Sequence, residues 1–339
     1  MTDHDGAAPD HDGAAPDHDG AAAAHGEEAI VRPSTFAWVS RHLEPGERIV
    51  RADALHGGIT AEMRKLTIGT RDGGTRALVL RTFVAPYYVK HAEDWLNREV
   101  GALTQLADTE VPAPELVTVD PTAEHCEYPS LLMTHLTGRT VLDDEGLETR
   151  THLLARQLLA IHALRPAERP RKYVTLTTAD TVVTPKCADA AAWAAAIDVI
   201  RRPAPPYEGR FLHRDFQPGN VLFDVPPLGP TRITGVVDWA ATSWGPADLD
   251  VAHCSTTLAL LHGPRWGLRF PEVYEAVGGA LAAATSERQY WLVRDALACS
   301  EEVREVAQPW REAGRTELTT PVVEERLDAY VTALMTASD

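Results

Sequence analysis

Phe211-Leu212-His213-Arg214-Asp215-Phe216-Gln217-Pro218-Gly219-Asn220-Val221-Leu222-Phe223 is the stretch on which the reading of this chain turns. It sets an Asp and an Asn five residues apart, with apolar segments on both sides. A second stretch completes it: Val236-Val237-Asp238-Trp239, then Gly245-Pro246-Ala247-Asp248-Leu249-Asp250. Here an Asp closes the β-branched run Ile233–Val237, and a turn and an acidic pair follow. Phosphoryl transfer asks for such parts. One carboxylate aligns the attacking hydroxyl, and one amide oxygen plus one carboxylate hold the Mg²⁺ that bridges the nucleotide phosphates. A polar turn capping two strands would account for the first stretch alone. It does not account for the Gly seven residues and the Asp twelve residues beyond Asp238.

At these residues the sequence resembles the aminoglycoside phosphotransferase family, a branch of the protein-kinase-like fold. The matching segments are His213–Asn220, Val236–Trp239 and Gly245–Ala252; elsewhere, over about residues 34–335, the likeness is one of layout. The resemblance implies an α+β, bilobal kinase-like fold. A small N-lobe would hold a five-stranded antiparallel sheet plus a helix, and a larger C-lobe would be mainly helical. It also implies roles. Asp215 would be the catalytic residue, and Asn220 and Asp238 the metal ligands. His213 and Asp250 would brace the catalytic loop. Arg214 stands where many members have Gly.

The layout before that loop agrees. A short helix is expected over Phe36–Leu43, with Ser34-Thr35 as cap. Strands are expected at Glu47–Leu55, Met63–Gly69 and Arg76–Phe83, with Arg71-Asp72-Gly73-Gly74 as the hairpin turn between the last two. Gly57-Gly58 lies between the first and second strands, where glycines would let backbone amides approach phosphate oxygens. Most such pairs are ordinary turns, and neither G-x-G-x-x-G nor a Walker lysine is present. Arg81 ends the third strand where the family places a Lys or Arg for the α/β-phosphates; its fork can bind phosphate bidentately. Glu99 lies on a helical pattern beginning at Asn97 and would pair with Arg81. Strands near Glu115–Val119 and Ser130–Leu136 follow. Thr134 and Leu136 fall where a hinge backbone would meet a nucleotide base. Helices are then expected from Thr149, at Ala188–Ile200, Val251–Leu261, Glu272–Ala284, Glu287–Ala307 and Val322–Met335. His162 reads as a hydrogen-bonded core or edge histidine rather than a ligand.

The domain reading is an acidic repeat tail over 1–31, a nucleotide-binding N-lobe and hinge over 32–137, and a catalytic, acceptor-binding C-lobe over 138–339. Residues 3–23 are three near-identical copies of Asp-His-Asp-Gly-Ala-Ala-Pro, too poor in apolar surface to fold, so disorder is expected there. The N-terminus is not a basic region followed by an apolar one, and no apolar run approaches membrane-spanning length. A cytoplasmic protein is expected. The four cysteines are far apart and read as buried thiols. The net charge of −17 argues against nucleic acid or an anionic membrane as partner. Residues 1–31 contribute eight of the carboxylates and no Lys or Arg, so the rest of the chain is still acidic. That would concentrate a cationic acceptor; solubility alone is the other reading.

The expected reaction moves the γ-phosphoryl group of ATP or GTP, with Mg²⁺, to a hydroxyl of a small molecule. An aminoglycoside or another antibiotic is the first acceptor class. Another small alcohol or a nucleoside-type natural product is an alternative. A non-catalytic nucleotide-binding scaffold is a third reading, against which Asp215, Asn220 and Asp238 together weigh. A protein kinase is disfavoured, since Asp238 to Gly245 leaves no room for an activation segment and neither Asp-Phe-Gly nor Ala-Pro-Glu is present. The oligomeric state is left open.

Overall fold

Alternation in the third strand sorts the N-terminal half into two layers. The structure is a computed structural model that describes residues 31–55, 60–186 and 188–336. The Gly57-Gly58 pair and nearly all of the repeat tail lie outside the described residues. Strand β3 (Thr75–Thr82) is central in a five-stranded antiparallel sheet with β1 (Arg48–Leu55), β2 (Glu62–Gly69), β4 (Leu116–Asp120) and β5 (Ser130–Thr134), in the order β1-β2-β3-β5-β4. Leu78 and Leu80 pack with Leu66, Ile68 and Leu132 beneath Trp38 and Val39 of helix α1 (Pro33–Arg41). Val79 points the other way, with Leu131 and Met133, into a core that includes Leu96 and Leu103 of α2 (Pro86–Leu106). The period of two puts Arg81 on that same face.

Helix α2 begins at Pro86, not near Asn97 as expected. Proline is well placed in the first turn, where its missing N–H costs no intrahelical bond. Before Leu96, Ala92 is buried and Tyr88, Val89 and Trp95 pack against the core, while Pro86 and Tyr87 are exposed, so the proline rather than a lack of apolar residues hid this start. The buried positions Ala92, Leu96, Glu99, Leu103 and Leu106 recur at spacings of three and four. Glu99 therefore occupies a core-facing position in an otherwise apolar stripe.

Beyond β5 the chain is mainly helical: α3 (Leu147–His162), α4 (Ala190–Ile200), α5 (Ala247–His262), α6 (Pro264–Ala276), α7 (Thr285–Glu312) and α8 (Thr320–Thr336). Two short pairings carry the motif: β6 (Arg210–Leu212) with β9 (Ser243–Gly245), and the hairpin of β7 (Val221–Asp224) with β8 (Arg232–Val236). The helix expected over Glu272–Ala284 is instead α6, which starts at Pro264 and carries Pro271 inside it. It stops before Gly278, whose φ of 102° ends the helical path. Helix α7 likewise runs past Ala307 and through Pro309. Trp291 and Trp310 are buried in the helical core, so neither offers a ring to an acceptor.

Candidate active site

Hairpin register brings the two halves of the motif together. Val221 pairs with Val236, so Asn220 and Val237 continue from the same end of β7 and β8. Val237 N–H donates to Asn220 O at 3.0 Å, and Asp238 follows at once. Asp238 has φ 65°, a left-handed conformation that turns the chain sharply from strand to site. Trp239, fully buried, donates its indole N–H to Val236 O at 2.9 Å and packs on the His213 ring at 4.3 Å between centroids.

The loop before β7 is held by Asp250, which is wholly buried near the start of α5. Asp250 accepts His213 N–H and Arg214 N–H, each at 2.8 Å, and His162 Nε2 lies 3.1 Å from its Oδ2. Burial works against its charge, but His162 and the nearby Arg214 outweigh it and hold the carboxyl below its usual range. His162 is thus the hydrogen-bonded core histidine expected, with Tyr274 Oη 2.7 Å from its other nitrogen. His213 accepts Asp215 N–H at Nδ1 (3.2 Å), so its proton lies on Nε2, which donates to Val237 O (3.0 Å). Complete burial lowers its pKa, in keeping with a neutral ring. Arg214 has φ 70°, the conformation that explains a preference for Gly at this position.

Asp215 is gripped at both oxygens. Asn220 Nδ2 donates to Oδ2 at 2.8 Å and Gln217 Nε2 to Oδ1 at 2.9 Å. The third partner, His253, was not foreseen. Its Nε2 lies 3.0 Å from Asp215 Oδ1, and its Nδ1 lies 3.3 Å from Asp295 Oδ1 on α7. Burial opposes a charged imidazole, but Asp295 and Asp215 outweigh it and raise His253 to about 10. In return, His253 overrides the effect of burial on Asp215 and lowers its pKa. His253 stands three residues beyond Asp250, on the same face of α5, and that spacing was the available signal. Asp295 arrives from a helix 42 residues further on, and no local pattern marks it.

Arg81 and Glu99 meet as expected: Nη1 donates to Glu99 Oε2 at 2.9 Å, and both side chains are buried. The same Nη1 donates to Asp238 Oδ1 at 3.0 Å, a link the sequence did not suggest. Burial works against the Arg81 cation, but Asp238 and Glu99 overcome it and keep its pKa raised. Burial likewise pushes the Glu99 carboxyl up, and Asp238 adds to that. Thr134 ends β5, and its N–H is taken by Glu115 O at 2.9 Å. Leu136 lies just past the last strand pair. The two lobes are stitched by Val236 N–H to Pro112 O (2.7 Å) and Arg98 Nε to Ala240 O (3.0 Å).

The donors present suit a hard cation. Asn220 turns its amide N–H toward Asp215, which leaves its amide oxygen to face elsewhere, and Asp238 uses only Oδ1 on Arg81. Two oxygen ligands from the protein, with phosphates supplying more, are what Mg²⁺ usually receives. Among the described residues no cluster of three or more His, Cys, Asp or Glu forms a self-contained metal cage.

Fold and site together define a bilobal, kinase-like phosphotransferase. The model of the phosphotransferase enzyme family matches residues 55–291, and the chain belongs to that family. The resemblance read from the catalytic motif is thereby borne out. No curated protein matches the sequence. Solved structures match over most of their length. A candidate aminoglycoside phosphotransferase from Ralstonia eutropha JMP134 superposes with a TM-score of 0.57 at 17% identity, covering 90% of this chain and 98% of the other. Aminoglycoside phosphotransferase APH(4)-Ia gives 0.56 at 18%, covering 88% and 97%. Macrolide 2′-phosphotransferase type I gives 0.52 at 17%, covering 84% and 95%. A variant of APH(4)-Ia was crystallised with AMP-PNP and hygromycin B. At these identities the likeness concerns the fold. Among the described residues no helix is long and apolar enough to cross a membrane.

Proposed function

We propose that this enzyme transfers the γ-phosphoryl group of ATP or GTP to a hydroxyl of a small-molecule antibiotic, an aminoglycoside being the first acceptor to test. The reading rests on one observation: Asp215, Asn220 and Asp238 converge at the same end of the β7/β8 hairpin. The APH(4)-Ia complex with AMP-PNP and hygromycin B supports this reaction class, and the acidity of the chain supports a cationic acceptor.

Asp215 would hold the attacking hydroxyl at a carboxylate oxygen. With its pKa lowered it is a weak base, which suits a loose transition state. The acceptor oxygen becomes acidic only as the P–O bond forms, and Asp215 takes the proton then. His253, Gln217 and Asn220 fix its rotamer. Asn220 and Asp238 would hold Mg²⁺, which when bound offsets the charge of the nucleotide phosphates. Arg81, carried on β3 and steadied by Glu99, would reach the α/β-phosphates. Residues 32–137, with the Gly57-Gly58 loop and the backbone near Thr134 and Leu136, would hold the nucleotide. Residues 138–339 would hold the acceptor, within the cytoplasm.

The test is a transfer assay with Mg·ATP and Mg·GTP against aminoglycosides, macrolides, nucleoside antibiotics and simple alcohols, read by mass spectrometry for an added phosphate. One acceptor gaining phosphate is expected, with Asp215→Ala lowering kcat by about 10²–10⁴-fold while nucleotide affinity stays unchanged. Transfer that survives Asp215→Ala would exclude this assignment. Nucleotide binding with no acceptor modified would favour the scaffold.

A further inference from the structure

The site just described leaves a group of cations unused. Arg98 precedes Glu99 on α2, Arg214 precedes Asp215 on the catalytic loop, and Arg171 lies between α3 and α4. The short segment Ala240–Gly245 draws them together. Ala240 O accepts Arg98 Nε at 3.0 Å, and Trp244 N–H donates to Arg171 O at 2.7 Å. Strand β9, which contains Trp244, pairs Ser243 with Leu212, two residues before Arg214. Each guanidinium feels the next. Burial, and after it the charge of Arg171, lowers Arg98 to about 10. Partial desolvation lowers Arg171 although the residue stands exposed at the surface, and Arg214 lowers it further.

Among the described residues none of the three makes an ion pair, although the chain carries a net charge of −17. Asp94 eases the charge on Arg98 and Arg171 from beyond ion-pair distance. Asp250 feels Arg214, but its oxygens are already filled by the amides of His213 and Arg214 and by His162. Exposure is graded: Arg171 is exposed, Arg98 half-buried, and Arg214 is 9% exposed with a buried Nη1 that has no partner. Crowded, desolvated like charges are costly unless an anion offsets them. Guanidinium forks match the oxygens of a phosphate-type group, which can accept from several donors at once.

We propose that Arg98, Arg171 and Arg214 form an oxyanion site for a phosphate-type group, entered past Arg171 and additional to the nucleotide site around Arg81. Arg98 adjoins Glu99 and Arg214 adjoins Asp215, so a bound oxyanion ties α2 to the catalytic loop. The group is either a free oxyanion or a phosphate borne by a small organic molecule.

The full-length protein is melted and titrated calorimetrically at constant ionic strength, with Mg·AMP-PNP present to fill the nucleotide site. The probes are inorganic phosphate, glucose 6-phosphate and glucose. Millimolar phosphate is expected to raise the melting temperature of the wild type. Arg171→Gln should bind phosphate at least tenfold more weakly, lose that shift, and melt higher than wild type without phosphate, because a like charge is gone. Arg98→Gln provides a second variant. Glucose 6-phosphate binding more tightly than phosphate, with glucose inert, assigns the site to an organic phosphate; equal affinities assign it to the free ion. No phosphate shift in the wild type, or a shift kept intact in both variants, overturns the site.

Discussion

Asp215 and His253 share a proton economy that only two carboxylates on one imidazole can maintain. Asp295 and Asp215 hold His253 near 10, against about 6.5 for an unperturbed histidine. The folded value lies above the unfolded one. The stabilisation from His253 is therefore complete below about pH 6.5 and is lost as pH rises through about 10. The wild type is expected to lose stability more steeply between those limits than His253→Asn, as read from urea midpoints across the range. Asp215 behaves oppositely, its lowered pKa contributing stability above the ordinary carboxylate range near 4 and losing it as pH falls. Asp215, Asn220 and Asp238 were legible because their spacing is a local property of the chain. His253 and Asp295 were not, because their pairing depends on how α5 and α7 pack.

At the level of elements, β3, α2 and the end of β8 meet in one cation. Arg81 is shared by buried Glu99 and by Asp238. Removing one partner of a buried ion pair strands the other, at about 3–5 kcal/mol. Arg81→Met is therefore expected to destabilise by that amount in urea unfolding, and adding Glu99→Gln should recover part of it. Glycine at 138 does a comparable job for the connection after β5. Its φ is 102°, and a Cβ there would lie 2.3 Å from Thr234 Oγ1 and 2.9 Å from Phe223 O. Gly138→Ala should cost about 2–4 kcal/mol by the same measurement, from backbone strain and overpacking together. Strand boundaries were read nearly as they stand, because a period of two and a glycine turn are local signals. The starts of α2 and α6 were missed, because proline in a first helical turn looks like a breaker until the helix after it is seen.

Across the whole molecule, one apolar core runs from sheet to helices. It joins Val79, Phe83, Leu131 and Met133 to Phe211, Phe216, Phe223 and Trp239, and on to Leu258 and Phe270. Helices α4, α7 and α8 share a second core with part of α5, and α1 closes the outer face of the sheet. Because the first core crosses between the lobes, unfolding one exposes apolar surface on the other. Heat unfolding followed by calorimetry and by tryptophan fluorescence is expected to give coincident transitions, with calorimetric and van't Hoff enthalpies equal.

The amino-acid sequence by itself determined the class of the enzyme, the five-stranded sheet with its inserted helix, and the candidate catalytic and metal-binding residues. Each of these is written in spacings of a few residues, where backbone period and turn chemistry dominate. Tertiary structure alone decided that His253 lies between Asp215 and Asp295, and that Arg81 reaches Asp238 as well as Glu99. Those contacts join residues 157, 42 and 38 positions apart in the clearest cases. Charge and burial at such separations are set by packing, which no local pattern records.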